Sequence, residues 1–342
     1  MRVMVAMSGG VDSSVAAARL AQAGHDVTGV TLKLWGGESD SGCCSVADVE
    51  DARRVAAQLG VPHYVFNLTE DFEAAVVAPY VGAHATGHTP NPCVECNRAI
   101  KFGRLASRAA VLGFDALATG HHARVRPGPD GRFGLLRGAD RAKDQSYVLY
   151  MLNQEILGRL LLPVGDLTKV QVRAEAAALG LRTADKAESM EVCFITRGGR
   201  EAFLDARGVM TPGEIVDGGG RLLGHHQGSA AFTVGQRRGL GVATGERRYV
   251  IDVDAPSGRV TVGDRQDLLR DGVALSGLCF VDGRPSPSEP LEVQSRAHGR
   301  PVAGHLVGDA VRFGEPQARV APGQVVAFYR GDELVGGGIA AA

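Results

Sequence analysis

The sequence predicts an α/β protein in which an N-terminal domain with a mostly parallel sheet precedes two small, mainly β domains, the last of them a β-barrel. Up to about residue 120, short apolar runs alternate with amphipathic helical stretches. After about residue 198 the pattern changes to short alternating segments separated by Gly, Pro and Asp. We therefore divide the chain into residues 1–197, 198–269 and 270–342.

The N-terminal elements follow from the period of the apolar residues. Apolar runs predict strands at residues 3–7, 27–34, 64–68 and 116–119. Amphipathic stretches predict helices at residues 13–23, 46–59, 71–85, 98–112 and 168–179. Four of these helices are followed by a glycine suited to a C-cap: Gly24, Gly60, Gly113 and Gly180. Ligands of such sheets bind at the carboxyl ends of the strands, where we expect the functional residues.

The C-terminal half carries the pattern of short β-strands. Alternating segments occur at residues 248–252, 259–262, 291–297, 324–329 and 334–339. Residues 218–220 and 282–290 are rich in Gly, or in Pro and Ser, and are predicted to be turns or linkers.

Composition restricts the setting of the protein. The 342 residues are 44% hydrophobic, which is enough for a sizeable core. No run of eighteen apolar residues and no secretory leader pattern is present, so we expect a cytoplasmic protein without a membrane partner. The formal net charge of -1 gives no nucleic-acid signature by itself. The arginine pairs at residues 237–238 and 247–248 are suited to phosphate, although each pair is equally typical of a solvated face.

The most specific local motif follows the first strand. SGGVDSS, residues 8–14, lies between an apolar run and a helix. Its glycines allow an anion to approach the backbone, its serines offer hydroxyl groups, and the helix N-terminus offers unpaired N–H groups. No lysine follows the glycines, so the motif is not the GxxxxGK[ST] loop, and the two adjacent glycines do not have the spacing of GxGxxG. A pyrophosphate site is indicated; a plain glycine turn is the structural alternative.

SGGVDSS resembles the PP-loop of the N-type ATP pyrophosphatases, which have the adenine nucleotide alpha hydrolase-like fold. These enzymes cleave ATP between its α and β phosphates and transfer AMP to an oxygen. The resemblance implies ATP and Mg²⁺ as cofactors and a role for Asp12 in adenylation. It implies that ATP is bound by Ala6, Met7, Ser8, Gly9, Gly10, Val11, Asp12, Ser13, Leu32 and Gly120.

Six cysteines are expected to be reduced thiols in a cytoplasmic protein. Cys93 and Cys96 lie just before a predicted helix, whose N-terminus favours the thiolate. Cys193 is about a hundred residues further on, so only folding can bring it near them. A structural zinc site or buried inert cysteines are the alternatives, although a single CxxC is weak evidence for zinc. Adjacent Cys43 and Cys44 are given no catalytic role, and Cys279 is most simply a core residue.

Seven segments in one order resemble the bacterial tRNA-specific 2-thiouridylases of the MnmA type. These segments are SGGVDSS, GCCSVADVEDAR, NPCVECNRAIKFG, ATGHHAR, KDQSYVLY, ESMEVCFI and TVGQRRGLG. The resemblance implies a tRNA-uridine 2-sulfurtransferase that adenylates the 2-oxygen of the wobble uridine, uridine 34. Cys193 then supplies sulfur as a persulfide, and Cys96 acts as nucleophile and forms a transient disulfide with Cys193.

The same resemblance implies the binding partners. The substrates would be the tRNAs for lysine, glutamate and glutamine, and a sulfur-relay donor protein would load Cys193. The target base would be lined by Asn91, Pro92 and Cys93, after it leaves the anticodon stack. Further tRNA contacts are expected at His121, Lys143, Asp144, Gln145 and Gln324.

One position departs from the pattern of the family. Many members have an aspartate, assigned to general acid/base work, where this chain has Cys93. Three thiols at residues 93, 96 and 193 are therefore also candidate ligands of a [4Fe-4S] cluster that carries the sulfur. Two further alternatives remain, namely another adenylating enzyme of the PP-loop class and a non-catalytic RNA-binding or redox module. Pyrophosphate release that depends on tRNA would distinguish the thiouridylase from both.

Overall fold

The structure is a computed structural model, and it describes residues 1–35, 45–187, 192–195, 198–243, 245–297 and 299–342. Strands of the N-terminal part are β1 (Arg2–Ala6), β2 (Asp26–Lys33), β3 (His63–Asn67), β4 (Ala116–Thr119), β5 (Ala123–Pro127), β6 (Phe133–Arg137) and β7 (Leu160–Leu161). Its helices are α1 (Val11–Gln22), α2 (Val46–Gln58), α3 (Thr69–Phe72), α4 (Ala78–Ala85), α5 (Pro92–Glu95), α6 (Ala106–Val111), α7 (Gln154–Leu157) and α8 (Lys169–Ala178).

Five of these strands form a parallel sheet in the order β3-β2-β1-β4-β7. The four predicted strands are confirmed, although β3 lies at the edge of the sheet and is largely exposed, and so are the five predicted helices, with small shifts of their ends. Two of those helices contain π-helical segments, Glu73–Val77 between α3 and α4 and Cys96–Leu105 between α5 and α6. Helix α8 begins where predicted because Thr168 and Gln171 form a capping box.

After residue 198 the chain consists mainly of strands, as predicted. The remaining elements are α9 (Gly199–Asp205), β8 (Gly213–Asp217), β9 (Leu222–His226), β10 (Tyr249–Asp254), β11 (Arg259–Gly263), β12 (Leu269–Phe280), β13 (Leu291–Gln294), β14 (Val302–Val307), β15 (Ala310–Ala318), β16 (Val325–Arg330) and β17 (Glu333–Ala340). Strands β10-β11-β8-β9 form one small sheet. The six strands β12-β15-β14-β13-β16-β17 close into a barrel because β12 also pairs with β17. The predicted barrel is confirmed.

A hairpin from the N-terminal part belongs to the C-terminal sheet. Strands β5 and β6 pair with each other, and β6 pairs with β17 through Leu135 and Leu334. The sequence pattern did not predict this hairpin. It carries the chain from the end of β4 onto the barrel and back to the KDQSYVLY segment.

The hydrophobic core is continuous across this junction. One cluster contains Phe72 and Ile100 of the N-terminal part together with Tyr147, Tyr329 and Leu334 from the junction and barrel. All five are at most 2% exposed. The helical segments that contain Phe72 and Ile100 therefore share one core with the barrel. Over the described part of the chain, none of the helices has the length and apolar character that crossing a membrane requires.

Candidate active site at the phosphate loop

The conformation of the phosphate loop, residues 7–10, depends on a glycine with positive φ and on the hydroxyl of Ser13. Gly9 has a φ of +74°, and an added Cβ would lie 2.2 Å from the carbonyl oxygen of Asp48. The hydroxyl of Ser13 accepts from the Ser8 N–H at 3.1 Å and donates to the Gly10 carbonyl at 3.1 Å. Gly10 occupies the N-cap position of α1 and provides no side-chain cap. The first N–H groups of α1 are therefore available to an anion.

The other predicted nucleotide residues gather at the same edge of the sheet. Strands β1 and β4 end level with each other because Ala6 pairs with Thr119. Gly120 follows, and an added Cβ there would lie 2.6 Å from the Ser13 nitrogen, so only glycine allows this approach. Leu32 lies near the end of the neighbouring β2 and is 7% exposed. These positions meet at the carboxyl ends of three adjacent strands, where a nucleotide is expected.

The carboxylate of Asp12 is the centre of a charged cluster. It accepts hydrogen bonds from Lys169 Nζ at 2.8 and 2.7 Å and from His122 Nε2 at 3.1 Å. Because a carboxylate only accepts, His122 Nε2 carries a proton. Burial acts to raise the pKa of Asp12, but the hydrogen bonds from His122 and Lys169, together with their charges, outweigh it and lower the pKa below its ordinary value. Asp12 is therefore ionised at neutral pH.

Sequence reasoning missed Lys169 and His122. His122 belongs to the ATGHHAR segment and is 3% exposed, and its Nδ1 has no hydrogen-bond partner among the residues that the structure describes. Lys169 is the first residue of α8, where a cation is disfavoured by the helix dipole. A lysine directly after an N-cap threonine was the one signal that could have indicated an anion nearby.

The cysteine helix begins with a capped turn. Asn91 is the N-cap of α5, and its side-chain oxygen accepts from the Cys93 N–H at 3.1 Å. Pro92 at the first helical position is buried, and Cys93 is exposed. Cys96 begins the following π-helical segment and is 8% exposed. The two thiols therefore differ in their surroundings, since Cys93 faces solvent and Cys96 belongs to the main core.

Cys193 borders the same core as Cys96. It is half-buried and packs against the cluster that contains Cys96. The next residue, Phe194, is 1% exposed and has ring contacts with Phe72 at 5.7 Å, Tyr80 at 5.3 Å and Phe203 at 5.3 Å. This aromatic contact fixes the chain on one side of Cys193.

The remaining cysteines of the chain are Cys43, Cys44 and Cys279. Cys43 and Cys44 lie outside the described residues. Cys279 is half-buried on β12 and packs against the main core, as predicted.

Among the described residues, no three His, Cys, Asp or Glu side chains form a group that could hold a metal ion. As they stand, Cys93, Cys96 and Cys193 do not form a ready ligand set for an iron-sulfur cluster.

The predicted tRNA-binding residues fall into two groups. Lys143 is half-buried, and Gln145 is exposed, with its side-chain oxygen accepting from the His122 N–H at 2.9 Å. Gln324, in the loop before β16, donates to the Thr89 carbonyl just ahead of Asn91. The barrel therefore holds the segment that leads into the cysteine helix.

His121 and Asp144 are buried. His121 Nδ1 lies 2.6 Å from the Thr119 hydroxyl, and its Nε2 lies 3.5 Å from Lys101 Nζ. Burial first, and then the charge of Lys101, hold the pKa of His121 well below its ordinary value, so the ring is neutral and its Nε2 accepts. A tRNA contact at either residue stays a prediction.

Asp144 is the centre of a network that joins the N-terminal part to the barrel. Its carboxylate accepts from Arg137 at 3.1 Å, from the Ser146 hydroxyl at 3.0 Å and from the Gly138 and Ser146 N–H groups. Arg137 also donates to Gln294 at 2.6 Å and lies 3.4 Å above the ring of Tyr329. The side chains of Arg137 and Asp144 are 8% and 4% exposed.

A glycine turn leads from the first strand of the parallel sheet to an uncapped helix, and the ends of the neighbouring strands gather around this turn. This arrangement defines a protein of the PP-loop class. Three family models match the chain: a tRNA methyl transferase HUP domain at residues 1–197, a tRNA methyl transferase PRC-barrel domain at residues 201–264 and an aminomethyltransferase β-barrel domain at residues 270–340.

Curated relatives give the particular family. The tRNA-specific 2-thiouridylase MnmA of Roseiflexus sp. (strain RS-1) is 47% identical over 98% of both chains. That of Carboxydothermus hydrogenoformans is 47% identical over 98% of this chain and 96% of its own. This chain belongs to the tRNA-specific 2-thiouridylase family, and the family predicted from the motifs is confirmed. A solved complex of a 4-thiouridine synthetase with RNA and ATP matches 61% of this chain and 50% of its own at 16% identity, with a TM-score of 0.38, too low to bear on function.

Proposed function

We propose that this protein is a tRNA-uridine 2-sulfurtransferase that uses ATP to replace the 2-oxygen of the wobble uridine by sulfur. The observation that carries the proposal is 47% identity to a tRNA-specific 2-thiouridylase over 98% of the chain. The products are 2-thiouridine, AMP and pyrophosphate. Support comes also from the phosphate loop and from two cysteines at one hydrophobic core, with Cys96 inside the core and Cys193 at its border.

The first step is adenylation. The uridine 2-oxygen attacks the α-phosphorus of ATP, the bond from that phosphorus to the bridging oxygen breaks, and pyrophosphate leaves with the electron pair. The open N–H groups of α1 and the hydroxyl of Ser8 are suited to the phosphates. Mg²⁺ is usually held by phosphates with one or two carboxylates, and Asp12 is the carboxylate at this loop. Adenylation turns a poor leaving oxygen into AMP.

The second step transfers sulfur. The terminal sulfur of a Cys193 persulfide attacks C2 of the uridine, and AMP leaves with the electrons of the C2–O bond. The Cys96 thiolate then attacks the Cys193 sulfur, the sulfur–sulfur bond of the persulfide breaks, and the sulfur stays on C2. The Cys96–Cys193 disulfide that forms is reduced by an external dithiol before the next turnover. Half-burial of Cys193 leaves part of its side chain open to a donor protein.

The substrates, the sulfur donor and the residues at the target base are those that the motifs predict. The tRNAs for lysine, glutamate and glutamine are the expected substrates, a sulfur-relay protein is the expected donor, and the cytoplasm is the expected location. Asn91, Pro92 and Cys93 would face the target base, which the exposure of Cys93 supports. The division at residues 1–197, 198–269 and 270–342 is supported by the three family-model ranges.

The test is anaerobic incubation of the purified protein with unmodified lysine tRNA, Mg-ATP and a sulfane-sulfur donor such as inorganic polysulfide, which can load Cys193, followed by mass spectrometry of the nucleosides and measurement of iron. We expect 2-thiouridine only when ATP is present. Product with stoichiometric iron would favour the [4Fe-4S] route over the persulfide route. If tRNA binds and no 2-thiouridine forms, the proposal fails and a non-catalytic RNA-binding protein remains.

A cationic cavity in the central domain gives a prediction about tRNA binding. The cavity has a volume of about 610 Å³ and is lined by Arg237, Arg247 and Arg248 with the glycine-rich residues 239–243. Arg248 is paired with Glu246 at 3.0 Å. We expect Arg237→Gln with Arg247→Gln to raise the Kd for tRNA about tenfold at moderate salt, because each arginine neutralises one phosphate.

The salt dependence separates this effect from misfolding. The slope of log Kd against log salt should fall by roughly 0.7 for each phosphate that the variant no longer neutralises. Arg221→Gln is the matched control, since Arg221 is an exposed arginine of the same domain, paired with Asp217, and does not line the cavity. An unchanged slope in the double variant would contradict the prediction.

A further inference from the structure

The segment that leads into the cysteine helix is held by both β domains at one residue, Thr89. Its N–H donates to the Pro322 carbonyl at 2.7 Å, and its carbonyl accepts from Gln324 Nε2 in the same loop of the barrel. Its hydroxyl donates to the Thr233 hydroxyl of the central domain at 3.3 Å. We call these three contacts the Thr89 clamp. Both backbone polar groups and the side chain of Thr89 are therefore bound by residues at least 144 positions away along the chain.

The barrel side of the clamp is a backbone-to-backbone contact. Gly323 has a φ of +88°, and an added Cβ there would lie 3.1 Å from the nitrogen and the carbonyl carbon of Thr89. This loop is tied in turn to the last strand, because the Gly323 N–H donates to the Ala340 carbonyl at 2.9 Å and the Ala340 N–H donates to the Gln324 carbonyl at 2.8 Å. The place of Thr89 is therefore set by the frame of the barrel.

A small hydrophobic cluster joins the two β domains beside the clamp. It contains Val234, which follows Thr233, and Ala321, which precedes Pro322, together with Leu268. Val234, Ala321 and Leu268 are at most 7% exposed. The central domain and the barrel therefore hold Thr89 as one packed unit.

The link from Thr89 to the residues expected at the target base is stiff. Its sequence is TPNP, residues 89–92. Proline fixes its own φ, and the residue before a proline is restricted to extended conformations. Asn91 shows this restriction, with a φ of -98° and a ψ of 102°, while it caps α5 through the Cys93 N–H. A shift of Thr89 is therefore passed on to the start of the cysteine helix, because this segment has little freedom to absorb it.

We propose that Gln324 is a positioning residue for thiolation, which acts on the target base through Thr89 and not through contact with tRNA. The inference rests on the proposed function. The clamp fixes Asn91 and Cys93 relative to the β domains, so the uridine 2-oxygen meets ATP in a reacting geometry when tRNA is bound. A misplacement of about 1 Å is enough to lower a rate by about 100-fold. This role replaces the tRNA contact that the motifs predict for Gln324.

Kinetics with lysine tRNA separate positioning from tRNA contact. The variant is Gln324→Met, which keeps the length of the side chain and removes the donor. With inorganic polysulfide as sulfur source, we expect kcat for 2-thiouridine formation to fall about 10- to 100-fold, while the Kd values for tRNA and Mg-ATP change less than about twofold. Gln317→Met is the matched control, because Gln317 of β15 also donates to a carbonyl, that of Glu315 on its own strand. The control should leave kcat and both Kd values unchanged.

The loss should already be present in the first step, so pyrophosphate release in a single turnover should slow by the same factor. A Kd for tRNA raised about fivefold or more would indicate direct contact and overturn the inference, and so would an unchanged kcat. Inactive wild-type protein would overturn the proposed function as well, whereas active wild-type protein with an unaffected Gln324→Met variant would overturn this inference alone.

Thr89 provides a second pair of variants, which serves if Gln324→Met does not fold. Thr89→Val removes the hydroxyl that donates to Thr233, and we expect it to lower kcat about three- to tenfold. Thr89→Ser keeps that hydroxyl and should retain the kcat of the wild type. Equal kcat values for the two variants would contradict the clamp.

Discussion

We expect Cys193→Ser to reduce 2-thiouridine formation by about a thousandfold or more while Mg-ATP binds as in the wild type. A serine hydroxyl can neither carry a transferable sulfur nor form a disulfide, so no residue supplies sulfur to C2. The phosphate loop is built by other elements, β1 and α1, and does not depend on this side chain. The measurement is nucleoside mass spectrometry after reaction with persulfide-loaded enzyme, with ATP binding measured in parallel.

Cys96→Ser should abolish thiolation to the same degree, but at a later step. Its Cys193 should still accept sulfur, so mass spectrometry of the protein should detect one additional sulfur, and after tRNA and Mg-ATP are added the protein should stay joined to the tRNA through that sulfur. The matched control is Cys279→Ser, because Cys279 is a half-buried cysteine on β12 of the barrel. Thiolation retained by Cys193→Ser would remove the persulfide role assigned to it.

We expect Asp144→Ala to lower the free energy of unfolding by about 3–5 kcal/mol. The substitution leaves the Arg137 guanidinium buried and without its carboxylate, and it also removes an acceptor for two backbone N–H groups. The measurement is urea-induced unfolding followed by intrinsic fluorescence and by circular dichroism.

Exposed ion pairs provide the control for this prediction. Asp166 pairs with Arg126 at 2.9 Å, but its side chain is 66% exposed, so Asp166→Ala should cost about 1 kcal/mol or less. Arg137→Met combined with Asp144→Leu should recover part of the stability, since no charge is then left unpaired. A cost for Asp144→Ala as small as that for Asp166→Ala would contradict a structural role for the network.

Much of this molecule could be predicted from local sequence, and the reason is physical. The parallel strands are mostly apolar runs, α2 and α8 begin with capping boxes, and the phosphate loop is one glycine-containing segment. The thiols of the site also lie in recognisable segments. Each of these features depends on residues close together in the chain.

The features that sequence did not predict depend on contacts between distant residues. Lys169 and Asp12 are 157 positions apart, and nothing in either segment specifies the other. The pairing of β6 with β17 joins Leu135 to Leu334. The β5–β6 segments are short, and only the edge that the barrel offers decides where they pair. The buried position of Asp144 has the same origin, because its partner Arg137 contacts Gln294 and Tyr329 of the barrel.

The pairing of β6 with β17 also orders events while the chain is being made. Leu334 follows its partner Leu135 by about 200 residues, which the ribosome adds in roughly 10–40 s. During that time the nascent hairpin has an edge with no strand to pair with, and the loop after it has no barrel to pack against. In an unfinished chain the KDQSYVLY segment therefore lacks its barrel contacts, such as those of Ser146 with Tyr329 and of Tyr147 with Val325. Until then the open edge of β6 can pair with strands of other chains.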